Sequence, residues 1–191
     1  MKICFATHNE NKLREVKSLL GGFEIVGLND IGQATEIPED GLTLDENAFI
    51  KANFVSSKFG VNCFADDTGL EVESLNGAPG VFSARYAGEA KNNQENIDLL
   101  LQNLQGKSNR KAQFRTVICL IIGGKVKTFE GVVEGTIAES LSGDDGFGYD
   151  PVFVPDGYNC TFAEMSMQEK NAISHRGIAI KKLVEYLEVH T

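Results

Sequence analysis

The sequence predicts a mixed α/β chain organised around an antiparallel hairpin, and three observations predict it. Apolar runs with helical spacing alternate with short extended runs along the chain. Phe114–Ile122 is apolar on both faces of its alternation, which marks a central strand covered on both sides. Gly123-Gly124 then joins it to Lys125–Val133 as a two-residue hairpin signal. Simple doubly wound alternation does not fit this order.

Taken from the amino terminus, Lys2–Ala6 reads as a short buried strand followed by a polar loop, Thr7–Asn11. A helix follows over about Lys12–Leu20, with Leu13, Val16, Leu19 and Leu20 on one face, and Gly21-Gly22 stops it. A second strand, Phe23–Val26, leads into a polar stretch that holds Glu36, Glu39 and Asp40. Thr43-Leu44-Asp45-Glu46 is a capping box opening a helix to about Phe59, with Ala48, Ala52, Val55 and Phe59 as its apolar face. Cys63–Ala65 begins a strand expected to end abruptly at Asp66-Asp67-Thr68-Gly69, with Leu70–Val72 extended beyond it. Asn76–Gly88 should be a loop and Gln94–Leu104 a helix. After the loop Ser142–Gly146 comes FGYDPVFVP, then a second capping box, Ser166 to Glu169, and a last helix with Ile180, Leu183, Val184 and Leu187 buried.

The chain of 191 residues suffices for one substantial core or one lobed domain, and no repeat or Pro/Ser-rich linker divides it. A net charge of −9 repels polyanions, which argues against extended nucleic-acid binding but leaves local capture of a small anion open. No apolar run approaches the length of a membrane span, and the apolar stretch at the amino terminus is too short for a secretory signal. Cys4, Cys63, Cys119 and Cys160 lack paired spacing, so buried free thiols in a reducing cytoplasm are expected.

Four segments carry residues suited to chemistry. Thr7-His8-Asn9-Glu10-Asn11-Lys12 lies where a strand ends and a helix begins, so free backbone N–H groups, the helix dipole and the Lys12 charge favour an anion. The same pattern is also met in a capped helix start with solvated side chains. Asp66-Asp67-Thr68 sets adjacent carboxylates where they repel, which suits a magnesium site with a proton acceptor, or equally a turn with an Asx-type bond. Consecutive side chains diverge on an extended chain, so the two need not touch one ligand. Glu36, Glu39 or Asp40 could complete the hard-oxygen set. Phe147-Gly148-Tyr149-Asp150 puts two aromatics on one face of a strand, either stacking a purine beside Asp150 or covering the core. Lys170 and Ser174-His175-Arg176 offer donors at a helix start for a keto oxygen or ring nitrogen, although a surface helix carries such residues too. His8, His175 and His190 have no zinc-ligand spacing, and no G-x-S-x-G elbow is present.

Together these segments resemble the inosine triphosphate pyrophosphatase family, the XTP/dITP diphosphatases, over nearly the whole chain and in order. ATHNENKLREV is similar to the family's phosphate-binding opening and GLTLDENAFIKA to its second helix. FADDTGLEVESLNGAPGVFSARYAG resembles the metal and catalytic core; GFGYDPVF and EKNAISHRG resemble the base-recognition segments. Thr68 stands where many relatives have Ser, which keeps the hydroxyl.

The resemblance implies an elongated central mixed β-sheet with two α/β lobes flanking a deep substrate cleft, within one pyrophosphohydrolase domain over residues 1–191, usually as a homodimer. It implies hydrolysis of ITP, dITP and XTP to the monophosphate and pyrophosphate with Mg²⁺. Thr7, His8, Asn9, Glu10, Asn11 and Lys12 would bind the triphosphate, with Lys51 and Arg85 approaching the same anion. Asp67 would bind the metal and accept a proton, Glu39 would be the second metal ligand, and Asp66 would support them. Thr68 would contact the substrate. Phe147, Gly148 and Tyr149 would enclose the base, and Asp150, Lys170, His175 and Arg176 would read its edge. Two other readings fit the same residues: a Maf-like pyrophosphatase acting on pyrimidine or modified nucleotides, and a nucleotide-binding regulatory module without turnover.

Overall fold

A computed structural model describes residues Met1–His190. Among these residues, seven strands and five α-helices follow the chain order β1 (Lys2–Phe5), α1 (Glu10–Leu19), β2 (Glu24–Val26), α2 (Leu44–Phe59), β3 (Cys63–Val72), β4 (Pro79–Gly80), α3 (Asn93–Asn103), β5 (Lys111–Ile122), β6 (Lys125–Ile137), β7 (Phe153–Pro155), α4 (Met167–Ile173) and α5 (His175–His190). The strands form one mixed sheet in the order β2-β1-β3-β5-β6-β7, with β4 paired to β3. Pairing is parallel for β1 with β2 and β3, and antiparallel for β3 with β4 and β6 with β7. The expected mixed α/β class therefore holds.

The central hairpin is where the sequence places it. Gly123 and Gly124 both take positive φ, 54° and 76°, the geometry a two-residue turn between twisted strands requires. Its strands run longer than expected, beginning at Lys111 and ending at Ile137, because alternation continues into half-buried polar positions that a hydrophobicity pattern reads weakly. Similarly, α1 begins at Glu10 instead of Lys12, since Asn9 caps it. Capping boxes open α2 at Thr43/Glu46 and α4 at Ser166/Glu169.

The chain divides into two compact units, one of residues 1–67, 116–131 and 176–191, the other of 68–115 and 132–175. Each has its own core. In the first, Ile3, Phe5, Leu13, Val16, Phe64, Ile118, Leu120, Ile180, Leu183 and Leu187 pack together, with Phe5 and Phe64 stacked at 4.7 Å. In the second, Leu70, Val72, Ile97, Leu100, Phe114, Val152, Phe153 and Phe162 do so. All four cysteines are free; Cys4, Cys63 and Cys119 are buried and Cys160 is partly exposed. Burial pushes the Cys63 thiol up to about 12, so it is not a nucleophile near neutrality. Among the described residues no helix is long and apolar enough to cross a membrane.

Candidate functional site

The strand β3 does not stop at the aspartates. It runs unbroken through Asp66, Asp67, Thr68 and Gly69 to Val72, correcting the expected break. Continuity has a chemical consequence, because side chains alternate between faces along an extended chain. Asp66 and Asp67 therefore point apart, and each finds different partners within the first unit.

Asp66 is buried and accepts from Lys12 Nζ at 3.0 Å and Arg176 Nε at 3.2 Å. Arg176 in turn donates through Nη1 to Glu15, itself buried on α1. Burial alone would raise the Asp66 pKa, but Lys12, Arg176 and Lys51 outweigh it and hold the carboxyl well below the usual carboxylate range. Lys12 shifts the other way: burial lowers its pKa, with Lys51 and Arg176 adding repulsion, against the pull of Asp66.

Asp67 faces α2. Asn47 Nδ2 donates to its Oδ2 at 3.1 Å, while Lys51 Nζ lies 3.6 Å from its Oδ1 and also donates to Glu39. Asn47 is fixed from its other side, where its Oδ1 accepts the Gly41 N–H at 2.8 Å. Burial raises the Asp67 pKa and the neighbouring Glu39 charge adds to this, against Lys51, Lys12 and Asn47. Burial works against the Lys51 charge, but Asp67 and Glu39 overcome it and raise its pKa. Two adjacent aspartates thus differ in kind: one is locked as an anion, the other holds a proton more readily than an ordinary carboxylate.

The opening loop departs from expectation in one respect. The Asn9 side chain accepts from the N–H groups of Asn11 and Lys12 at 3.0 and 3.1 Å, so those two donors cap the helix and are not open to an anion. Thr7 Oγ1 accepts from Asn9 N–H at 3.1 Å, and the His8 ring lies 3.1 Å from the Thr35 carbonyl. Glu10 is exposed in the first turn of α1, and Asn11 is partly exposed. Of the acidic residues ahead of α2, Glu39 reaches Lys51; Glu36 and Asp40 are exposed.

The second unit gathers another set. Residues 147–149 are a turn, not a strand, since Gly146 and Gly148 take φ of 79° and 63°; the shared face inferred for Phe147 and Tyr149 does not exist. Tyr149 is buried in the second core, and its hydroxyl donates to the Ser83 carbonyl at 2.8 Å. Phe147 stays partly exposed, with the Lys170 ammonium 4.9 Å from its ring centroid. Asp150 is buried; its Oδ2 accepts the Phe147 N–H and the Lys170 ammonium, both at 2.7 Å. The His175 ring is buried and stacked on Phe114 at 4.5 Å. Thr68 is partly exposed on β3, and the partly exposed Arg85 lies 5.3 Å over the Phe82 ring. Arg176, expected at the base edge with His175, is instead held between Glu15 and Asp66 in the first unit.

Glu15 and Asn47 escaped the sequence reading. Each had a signal: a charged or amide side chain beside apolar-face positions of its helix, Glu15 three residues after Lys12 and Asn47 four before Lys51. A metal can be tested against these side chains. No group of three His, Cys, Asp or Glu side chains is arranged to hold one among the described residues. Asp67 and Glu39 nevertheless converge on one ammonium group. Magnesium takes one or two protein carboxylates and fills its shell with water and phosphate oxygens, so this pair fits an ion that arrives with a polyphosphate.

Against known proteins, a Ham1 family model matches residues 3–186. A protein of Christiangramia forsetii named dITP/XTP pyrophosphatase is 54% identical over 188 residues, covering 98% of this chain and 99% of its own. One of the same name from Flavobacterium psychrophilum is 52% identical, covering 98% and 100%. Among solved structures, the Staphylococcus aureus Ham1 protein superposes with a TM-score of 0.91 at 38% identity, covering 100% of both chains. A HAM1 protein from Coxiella burnetii gives 0.90 at 39%, covering 98% of both. The chain belongs to the Ham1 family.

Proposed function

We propose that the chain hydrolyses the non-standard purine nucleoside triphosphates ITP, dITP and XTP to the monophosphate and pyrophosphate, clearing them from the nucleotide pool. The observation that carries this reading is the division of labour between Asp66 and Asp67. A buried carboxylate with raised proton affinity, oriented by an amide and a lysine, suits the general base for a water molecule. Water attacks phosphorus, at the α position in this reading; its oxygen forms the new bond, Asp67 takes its proton, and the bond to the β-phosphate oxygen breaks to release pyrophosphate.

Asp67 and Glu39 are the residues that would hold Mg²⁺, which when bound supplies positive charge to the phosphate oxygens. Lys12 and Lys51 add their own charges, and Thr7, His8, Asn9, Glu10 and Asn11 form the loop assigned to the triphosphate. Arg85 is assigned to a phosphate and Thr68 to the substrate. Phe147, backed by Lys170, is the stacking ring, and Gly148 and Tyr149 shape its turn. Asp150 acts through the Lys170 and Phe147 contacts that it holds. Lys170 and His175 are donors for a 6-keto purine, while Arg176 holds Asp66 and Glu15; adenine would leave such a donor unpaired, at about 1–3 kcal/mol per group.

The reading takes residues 1–191 as one pyrophosphohydrolase domain, pairs the chain as a homodimer and locates it in the cytoplasm, where four free thiols suit the redox state. Asp67→Asn is expected to lower pyrophosphate release from ITP with Mg²⁺ by about 10²–10⁴-fold. Near-normal release would overturn the assignment of the base. A panel of ITP, dITP, XTP, dTTP and UTP tests the substrate class, and preference for the pyrimidines would favour the Maf-like reading.

A further inference from the structure

Two buried polar side chains of the second unit, Ser83 and Asn96, have been given no role above, and both tie down the short stretch that carries Arg85: Ser83 from within it and Asn96 from α3. Asn96 lies on α3 and is 2% exposed. Its Nδ2 donates to the Ala84 carbonyl at 3.1 Å and its Oδ1 accepts the Ala87 N–H at 2.7 Å. One amide thus brackets Arg85 from the residue before it to the second residue after it. Ser83 lies on the other side. Its hydroxyl accepts the Leu70 N–H of β3 at 2.8 Å and donates to the Gly80 carbonyl of β4 at 2.6 Å.

The turn also ties itself: Arg85 N–H donates to the Phe82 carbonyl at 2.9 Å, and Gly88 N–H to the Arg85 carbonyl at 3.1 Å. Packing alone does not account for these contacts. Ala84 and Ala87 are exposed residues with little side chain to bury, and their backbone bonds to Asn96 are only partly buried. Burying an amide to hold two backbone groups of an exposed turn makes sense when the position of that backbone matters. Long side chains lose reach and direction when the backbone under them drifts, and the Arg85 guanidinium already leans on an exposed ring, Phe82.

We propose that Asn96, with Ser83, is a positioning residue for Arg85, fixing its turn so that the guanidinium meets a substrate phosphate without having to be ordered on binding. The inference rests on the assignment of Arg85 to a phosphate and deepens it. Its mark is a change in substrate affinity that passes through Arg85, not a general loss of folded protein.

The test is a double-mutant cycle in the full chain, read as steady-state pyrophosphate release from ITP and as thermal melting. Asn96→Ala is expected to raise KM about three- to tenfold, the scale of one or two hydrogen bonds, with kcat within about twofold. Arg85→Ala is expected to raise KM as well. In the Arg85→Ala background, Asn96→Ala should then change KM by less than about twofold, because the group it positions is gone. An unchanged KM in the single variant, or the same fold increase with and without Arg85, overturns the proposal. Should Asn96→Ala fail to fold, Ser83→Ala passes through the same cycle with the same criteria. Failure of the wild-type chain to release pyrophosphate from ITP, dITP and XTP would overturn the substrate assignment instead, and is seen before any variant is made.

Discussion

Moving one residue along β3 carries a carboxylate from one face of the sheet to the other, so Asp66 meets Lys12 and Arg176 while Asp67 meets Asn47 and Lys51. Removing the Asp66 charge leaves the partly buried Lys12 and the buried Arg176 without their shared counter-charge. Asp66→Asn is therefore expected to lower unfolding stability by about 3–5 kcal/mol in urea titrations near neutral pH, the range for breaking a buried pair. The pH dependence follows from the sign of the shift. The folded pKa of Asp66 is depressed, so its contribution is present above the unfolded value and is lost as pH falls through the folded one. The stability gap between wild type and Asp66→Asn should thus close only in strong acid; a gap independent of pH would contradict the ion-pair account. Asp67→Asn in metal-free protein should cost far less, about 1 kcal/mol or under, because burial already disfavours the Asp67 charge. The divergence of the two aspartates is legible in sequence, since it needs only the period of a strand. The Glu15–Arg176 pair is not, for its members stand 161 residues apart and meet only when the fold brings α1 to α5.

At the scale of elements, local chemistry was read well and backbone conformation less so. The capping boxes of α2 and α4 and the Gly123-Gly124 turn depend on residues within four positions of one another, and all are present. The segment Phe147–Tyr149 fails for the complementary reason: its aromatic alternation imitates a strand, while its glycines impose positive φ that no strand allows. Those glycines are not equivalent. A Cβ on Gly146 would stand 2.2 Å from Asp150 Oδ2, whereas one on Gly148 meets nothing within 4 Å. Gly146→Ala must displace the carboxylate that holds both the Phe147 N–H and Lys170, and is expected to raise KM for ITP about tenfold or more. Gly148→Ala carries only the strain of a left-handed residue, about 1–2 kcal/mol in stability. Equal effects of the two substitutions on KM would show that Asp150 does not organise the turn.

For the molecule as a whole, the chain passes between its two units four times, and two of the passages fall at Asp67–Thr68 and His175–Arg176, within segments the sequence had already singled out. Apolar periodicity marked many residues of both cores but could not assign them to two separate clusters, because that division depends on which segments the sheet brings together. Among the described residues no three His, Cys, Asp or Glu side chains gather to hold a metal, and Lys51 bridges Glu39 and Asp67. Folding and metal use should therefore separate. Chelation with EDTA is expected to abolish pyrophosphate release from ITP and added Mg²⁺ to restore it, while the melting temperature moves only by the few degrees that weak, saturable binding to the native state allows. Turnover that persists in EDTA would remove the ion from the reaction. Loss of cooperative melting on chelation would instead make the ion part of the fold, and would require a ligand set beyond Asp67 and Glu39.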